Sequence, residues 1–117
     1  MPAVRIYHNP RCSKSREALA LLEQQGVELV VVLYLEEQPD NATISELLLM
    51  LGISARDLMR KGEAPYRELD LGNSDLSEAQ LVQAMADYPK LIERPIVIKD
   101  GKAIIARPPE RVLELFA

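Results

Sequence analysis

The sequence predicts an α/β fold, a mixed sheet flanked by helices, on the strength of three patterns. Residues 4–33 give strand, helix and strand signals in turn, and residues of about 43–88 read as helices alone. After Pro89 a period of two returns as a hairpin ahead of a last amphipathic segment. At 117 residues the chain is the size of one ordinary domain. It is therefore expected to be a single domain, 1–117, with a helical insertion at about 43–88 between a βαβ half and a ββα half.

Val4 to Tyr7 reads as a short strand, ended at His8-Asn9-Pro10, because Pro10 removes a donor and biases Asn9 away from helix. From Ser13 to Gln25, Ala18, Leu19, Leu21 and Leu22 fall on one side of a helical wheel, and Gly26 supplies the stop. Val27 to Leu33 is β-branched and nearly unbroken, the pattern of a strand buried on both faces of a parallel sheet. Glu36 to Asn41 reads as a polar loop. Thr43 to Glu46 reads as a capping box ahead of Leu47 to Leu51, with Gly52 past the end. Ser54 caps a short helix through Arg60, and Lys61-Gly62 and Pro65 punctuate the stretch after it. Ser77 to Gln80 is a second capping box, opening a helix to about Asp87. Ile96 to Ile98, the Asp100-Gly101 turn and Ala103 to Ala106 make the hairpin. Pro108-Pro109 start a final helix with Val112, Leu113, Leu115 and Phe116 inward.

Fourteen Lys and Arg against eighteen Asp and Glu leave a net charge of −4, which argues against a protein whose whole surface is a nucleic-acid footprint but allows a local basic site. The longest apolar stretch, Leu29 to Leu35, is far short of the roughly 20 residues that span a bilayer, and residues 1–7 lack the apolar core of a secretory signal. With one cysteine no intramolecular disulfide can form, and no CxxC pair or Cys/His cluster offers the four ligands of a structural zinc site. A cytoplasmic protein with no membrane, nucleic-acid or metal partner is expected.

That one cysteine, Cys12, lies between a strand end and a helix start. There the unpaired N–H groups and the helix dipole favour a thiolate and bind anions. Arg11, Lys14 and Arg16 add positive charge with no acid between residues 8 and 16. A buried structural cysteine would gain nothing from this setting. The phosphatase anion loop would require arginine where Ala18 stands, and a dithiol redox motif a second cysteine where Ser15 stands. Both are rejected, so any disulfide of Cys12 must be intermolecular.

The run from His8 to Arg16, HNPRCSKSR, resembles the active-site motif of the glutathione/glutaredoxin-coupled arsenate reductase family. Leu33 to Glu36, Leu58 to Lys61, Arg94 to Val97 and Arg107-Pro108 resemble its other signatures in the same order, so the resemblance covers essentially the whole chain. It implies a thioredoxin-like fold with a helical insertion, Cys12 as the nucleophile, and Arg60, Arg94 and Arg107 around the oxyanion. Guanidinium forks suit a tetrahedral oxyanion through paired charge-assisted hydrogen bonds. Each arginine also has a plainer reading. Arg60 ends a helical stretch where a cation complements the dipole, Arg94 is a solvated residue before proline, and Arg107 closes the last strand.

Among supporting residues, the resemblance makes Pro95 the cis proline beside the sulfur, and His8 a residue that tunes the thiolate or its loop. His8 equally well hydrogen-bonds the loop backbone, and Ser15 is placed either to bond the sulfur or as a plain first-turn serine. The implied activity is reduction of arsenate to arsenite through a Cys12–arsenic adduct resolved by glutathione, as co-substrate, and glutaredoxin. No bound cofactor is implied. Two other readings remain open. One is a non-enzymatic thioredoxin-like interaction or regulatory protein, resembling the Spx-type regulators that bind RNA polymerase, which commonly carry a CxxC switch. The other is a glutathione-dependent reductase of another substrate.

Overall fold

A computed structural model describes residues 3–116. The chain folds as two compact units, one made of the chain up to Glu37 together with the chain from Arg94, the other of Gln38–Glu93.

The first unit holds a four-stranded sheet of β1 (Val4–Tyr7), β2 (Leu29–Val32), β3 (Ile96–Lys99) and β4 (Lys102–Ile105), in the order β2-β1-β3-β4. β1 runs parallel to β2 and antiparallel to β3, and β3 to β4 is antiparallel. Helix α1 (Ser13–Gln24) forms the crossover from β1 to β2. It packs Ala18 and Leu22 with Val4, Ile6, Val97, Ala106 and Val112 into a core whose members are all 0 % exposed. The hairpin turn has Asp100 and Gly101 both at positive φ, 53° and 78°. That is the type I′ geometry whose twist matches the flanking strands, and glycine takes it without strain.

Three readings of this unit are corrected. β2 is an edge strand, with Val30 and Val31 39 % and 42 % exposed, rather than a strand buried on both faces. β3 takes the far side of β1, and an apolar run does not tell an edge from a centre. Where a loop was expected from Glu36, a short helix α2 (Tyr34–Glu37) forms, and the Glu37 carboxylate accepts the Leu33 N–H at 2.8 Å. The last segment, Pro109–Phe116, is a 3-10 helix. With three residues per turn, Pro109, Val112 and Leu115 line up. Pro109 and Val112 are buried, while Leu113, expected inward on an α-helical period, is 42 % exposed.

The second unit is helical: α3 (Asn41–Leu51), α4 (Ala55–Leu58), α5 (Ala64–Glu68), α6 (Glu78–Asp87) and a 3-10 turn at Pro89–Leu91. α3 starts before the expected Thr43 cap, because the Asp40 carboxylate accepts the Thr43 N–H at 2.9 Å and closes the helix start first. That bond holds the Asp40 pKa below its ordinary value. Gly52, at φ 69°, ends α3 by donating to Leu48 O. Ser77 and Gln80 form the full reciprocal box expected at α6. α5 stands where no helix is expected. Its Pro65 reads as punctuation, yet proline is well placed in a first helical turn, where its missing N–H is not needed. α4 stops at Leu58, and Met59 leaves it in an extended conformation to bridge Ile92.

Candidate active site

At the end of β1 the Pro10 break releases the chain from the sheet, and Cys12 becomes the N-cap of α1, with extended φ and ψ of −96° and 121°. Its side chain makes no capping hydrogen bond, so the donors of the first turn are not filled by it. The sulfur is half-buried and free, and no acidic residue stands in that turn.

The loop leading to Cys12 is built by its own hydrogen bonds. Cys12 N donates to Asn9 O at 3.0 Å, Arg11 N to Asn9 Oδ1 at 3.0 Å, and the Arg16 guanidinium to Pro10 O at 2.8 Å. Ser15, 0 % exposed, sits at the centre. Its hydroxyl accepts the Asn9 N–H at 3.0 Å and lies 2.7 Å from His8 Nδ1. A neutral imidazole whose Nδ1 accepts the Ser15 proton uses both the donor and an acceptor site of that hydroxyl. In that tautomer Ser15 spends its proton on His8, and His8 reaches the loop through it. Helical spacing hides this pairing, since Ser15 reads as one more first-turn serine.

Burial, and then the Arg16 charge, lower the His8 pKa from its ordinary 6.5. Below that value the unfolded chain takes up a proton that the folded chain resists, so this contribution to stability is complete above pH 6.5 and lost as pH falls through the lowered value. A His8→Gln variant is expected to show a shallower fall in Tm from pH 7 to pH 5 than the parent. Parallel Tm curves would show that His8 carries no such term.

The register of the sheet brings further predicted residues to the same end. Tyr7 pairs with Ile96, and Ile96 with Ile105. The end of β1 that enters the Cys12 loop therefore lies beside the start of β3 and the end of β4. Arg94 and Pro95 precede β3, and Arg107 follows β4 by two residues. The Arg107 guanidinium donates to Arg94 O at 3.1 Å, and Ala106 N to Pro95 O at 2.9 Å. The Arg94-Pro95 bond is cis, as is Arg107-Pro108.

Arg60 belongs to the helical unit. Since α4 ends at Leu58, Arg60 is not in a last helical turn, and its reading as a dipole complement falls. Its N–H donates to Leu91 O at 2.7 Å, and its guanidinium stands 3.5 Å from Glu63 and 3.6 Å from Glu93. Among the described residues, no group of three or more His, Cys, Asp or Glu side chains could hold a metal ion, and no helix is long and apolar enough to cross a membrane.

Residues 7–115 match the ArsC family. The chain is 63 % identical over 113 residues to an Escherichia coli (strain K12) protein named only as the uncharacterized protein YfgD, covering 96 % of this chain and 95 % of that one. It is 49 % identical over 115 residues to an arsenate reductase of Haemophilus influenzae, covering 97 % and 99 %. Its structure is similar to that of an arsenate reductase from Vibrio cholerae, with a TM-score of 0.94 and 54 % identity over 97 % of each chain.

Proposed function

Because the chain belongs to the ArsC family, we propose that it reduces arsenate to arsenite through an adduct on Cys12, with glutathione and glutaredoxin supplying the electrons. Its mixed four-stranded sheet flanked by helices is the thioredoxin-like fold expected from the sequence. The observation that carries the reading is the sheet register. It sets the helix start at Cys12 at the same end of the sheet as Arg94 and Arg107, which supports a reading in which a nucleophile and two guanidinium-bearing segments serve one anion.

In this mechanism the Cys12 thiolate attacks arsenic. A sulfur–arsenic bond forms and an arsenic–oxygen bond breaks, the oxygen leaving as water. Arg94, Arg107 and the first-turn N–H groups of α1 stabilise the charge on the remaining oxygens. The family resemblance adds Arg60 to the oxyanion-binding set. His8 and Ser15 hold the loop, and Pro95 shapes the start of β3. Glutathione then adds to arsenic and displaces a second water. A glutaredoxin thiolate attacks the glutathione sulfur, a mixed disulfide forms, and the electron pair of the broken sulfur–arsenic bond stays on arsenic. Hydrolysis of the Cys12–arsenic(III) bond releases arsenite and regenerates the thiol. Two external thiols are oxidised and arsenic gains two electrons. A cytoplasmic setting, where thiols are kept reduced, belongs to this proposal.

Purified protein with arsenate, glutathione and glutaredoxin is expected to form arsenite in proportion to the thiol consumed. Absence of arsenite above the protein-free rate would overturn the assignment and leave the interaction-protein reading in its place.

A further inference from the structure

A groove of about 300 Å³ flanks the loop that leads into Cys12, at the lower end of the range for small-molecule sites. One wall is residues 8–11, and the other is Leu33, Leu35 and Glu36 at the start of α2. Pro10, Leu33 and Leu35 make its lining partly apolar, while Arg11 and Glu36 give it one charge of each sign. Among the described residues neither charged side chain has a hydrogen-bond or ion-pair partner, so they do not neutralise one another. The neighbouring Glu37 differs, its carboxylate being spent on the Leu33 N–H.

The proposed chemistry requires a second thiol beside Cys12, and the chain holds no other cysteine. We propose that this groove is the entry site for that thiol, and that it selects thiols carrying both a carboxylate, bound by Arg11, and an ammonium group, bound by Glu36. The inference rests on the thiol-consuming reading and assigns it two specificity residues. Opposite charges on one partly apolar groove favour a zwitterion over a neutral or singly charged thiol of similar size. The step served is addition to the Cys12 adduct. The incoming sulfur bonds to arsenic, an arsenic–hydroxyl bond breaks, and the thiol proton leaves with the hydroxide as water, the oxidation state unchanged.

Two measurements test this. In steady-state kinetics at saturating arsenate, Arg11→Gln and Glu36→Gln are each expected to raise KM for glutathione about 3- to 5-fold, the upper scale of losing one solvent-exposed charged contact. KM for 2-mercaptoethanol, which carries neither charge, is expected to move less than about twofold. Equal shifts for both thiols, or none for glutathione, overturn the groove assignment. Independently of turnover, unreactive S-methylglutathione is expected to shift the backbone amide signals of residues 8–9, 11 and 33–36 in the parent, and to bind the two variants more weakly. Shifts confined to other residues overturn it. Should no thiol support arsenite formation, the reductase reading fails, while this binding measurement still decides the groove.

Discussion

Replacing Cys12 by serine is expected to lower arsenite formation by about 10,000-fold or more, the scale of deleting a catalytic nucleophile. Serine keeps the size of the side chain but ionises far less readily, so attack on arsenic is lost while little packing is. Cys12 makes no capping hydrogen bond for α1, so the variant gives up no bond that holds the helix start. A hydroxyl at an N-cap is also a favoured capping group, and the helix is expected to be at least as stable. The paired result is native circular dichroism with unchanged or raised Tm and no arsenite. Turnover close to that of the parent would remove Cys12 from the mechanism.

The second large effect concerns the arginines. Lysine at position 94 or 107 keeps the charge and removes the planar fork, and each substitution is expected to reduce kcat/KM for arsenate by about 10- to 1,000-fold. The Arg107 guanidinium gives one N–H to Arg94 O, and in the proposed mechanism it also serves the anion. Lysine cannot reproduce both contacts. Arg60→Lys belongs in the same series, and its outcome is separable. Glu63 and Glu93 flank Arg60, so a loss there that Glu63→Gln and Glu93→Gln reproduce would trace to those ion pairs. Arg5, exposed on β1, is the control and is expected to be nearly neutral. Kinetics for the site variants that match the control would refute the oxyanion site.

The sheet is legible in the sequence because its signals are local. Val4 to Tyr7 and the Asp100-Gly101 turn carry their strand and hairpin patterns within a few residues, and Ser77 and Gln80 carry a complete cap. Edge or centre is not a local property, which is why the apolar Leu29 to Val32 misreads as doubly buried. The Asp40 cap escapes for another reason. Two carboxyl or hydroxyl side chains three residues apart both offer caps, and only the path of the chain decides between them. At the candidate site, Cys12 is marked by its place between strand and helix. The buried Ser15–His8 pair is not, because it joins two side chains across a loop that no periodicity describes. The groove at Glu36 is hidden in turn when α2 is read as loop.

The sheet-bearing unit is interrupted in sequence, and the interruption governs how it assembles. β1 pairs with β3, joining Arg5 to Ile98 across the whole of Gln38–Glu93. The central strand pair therefore cannot close until a segment made at the start of the chain meets one made near its end. Helices of the inserted unit form from near neighbours, whereas the sheet waits on a distant encounter, the kind of topology that slows folding. In equilibrium terms a long insertion is tolerable, since doubling a flexible loop costs only about 0.6 kcal/mol. The burden falls on time. Until β3 arrives, β1 and the valine-rich β2 stand as an incomplete parallel pair with open edges, and that interval is when this chain is most exposed to pairing with another copy of itself.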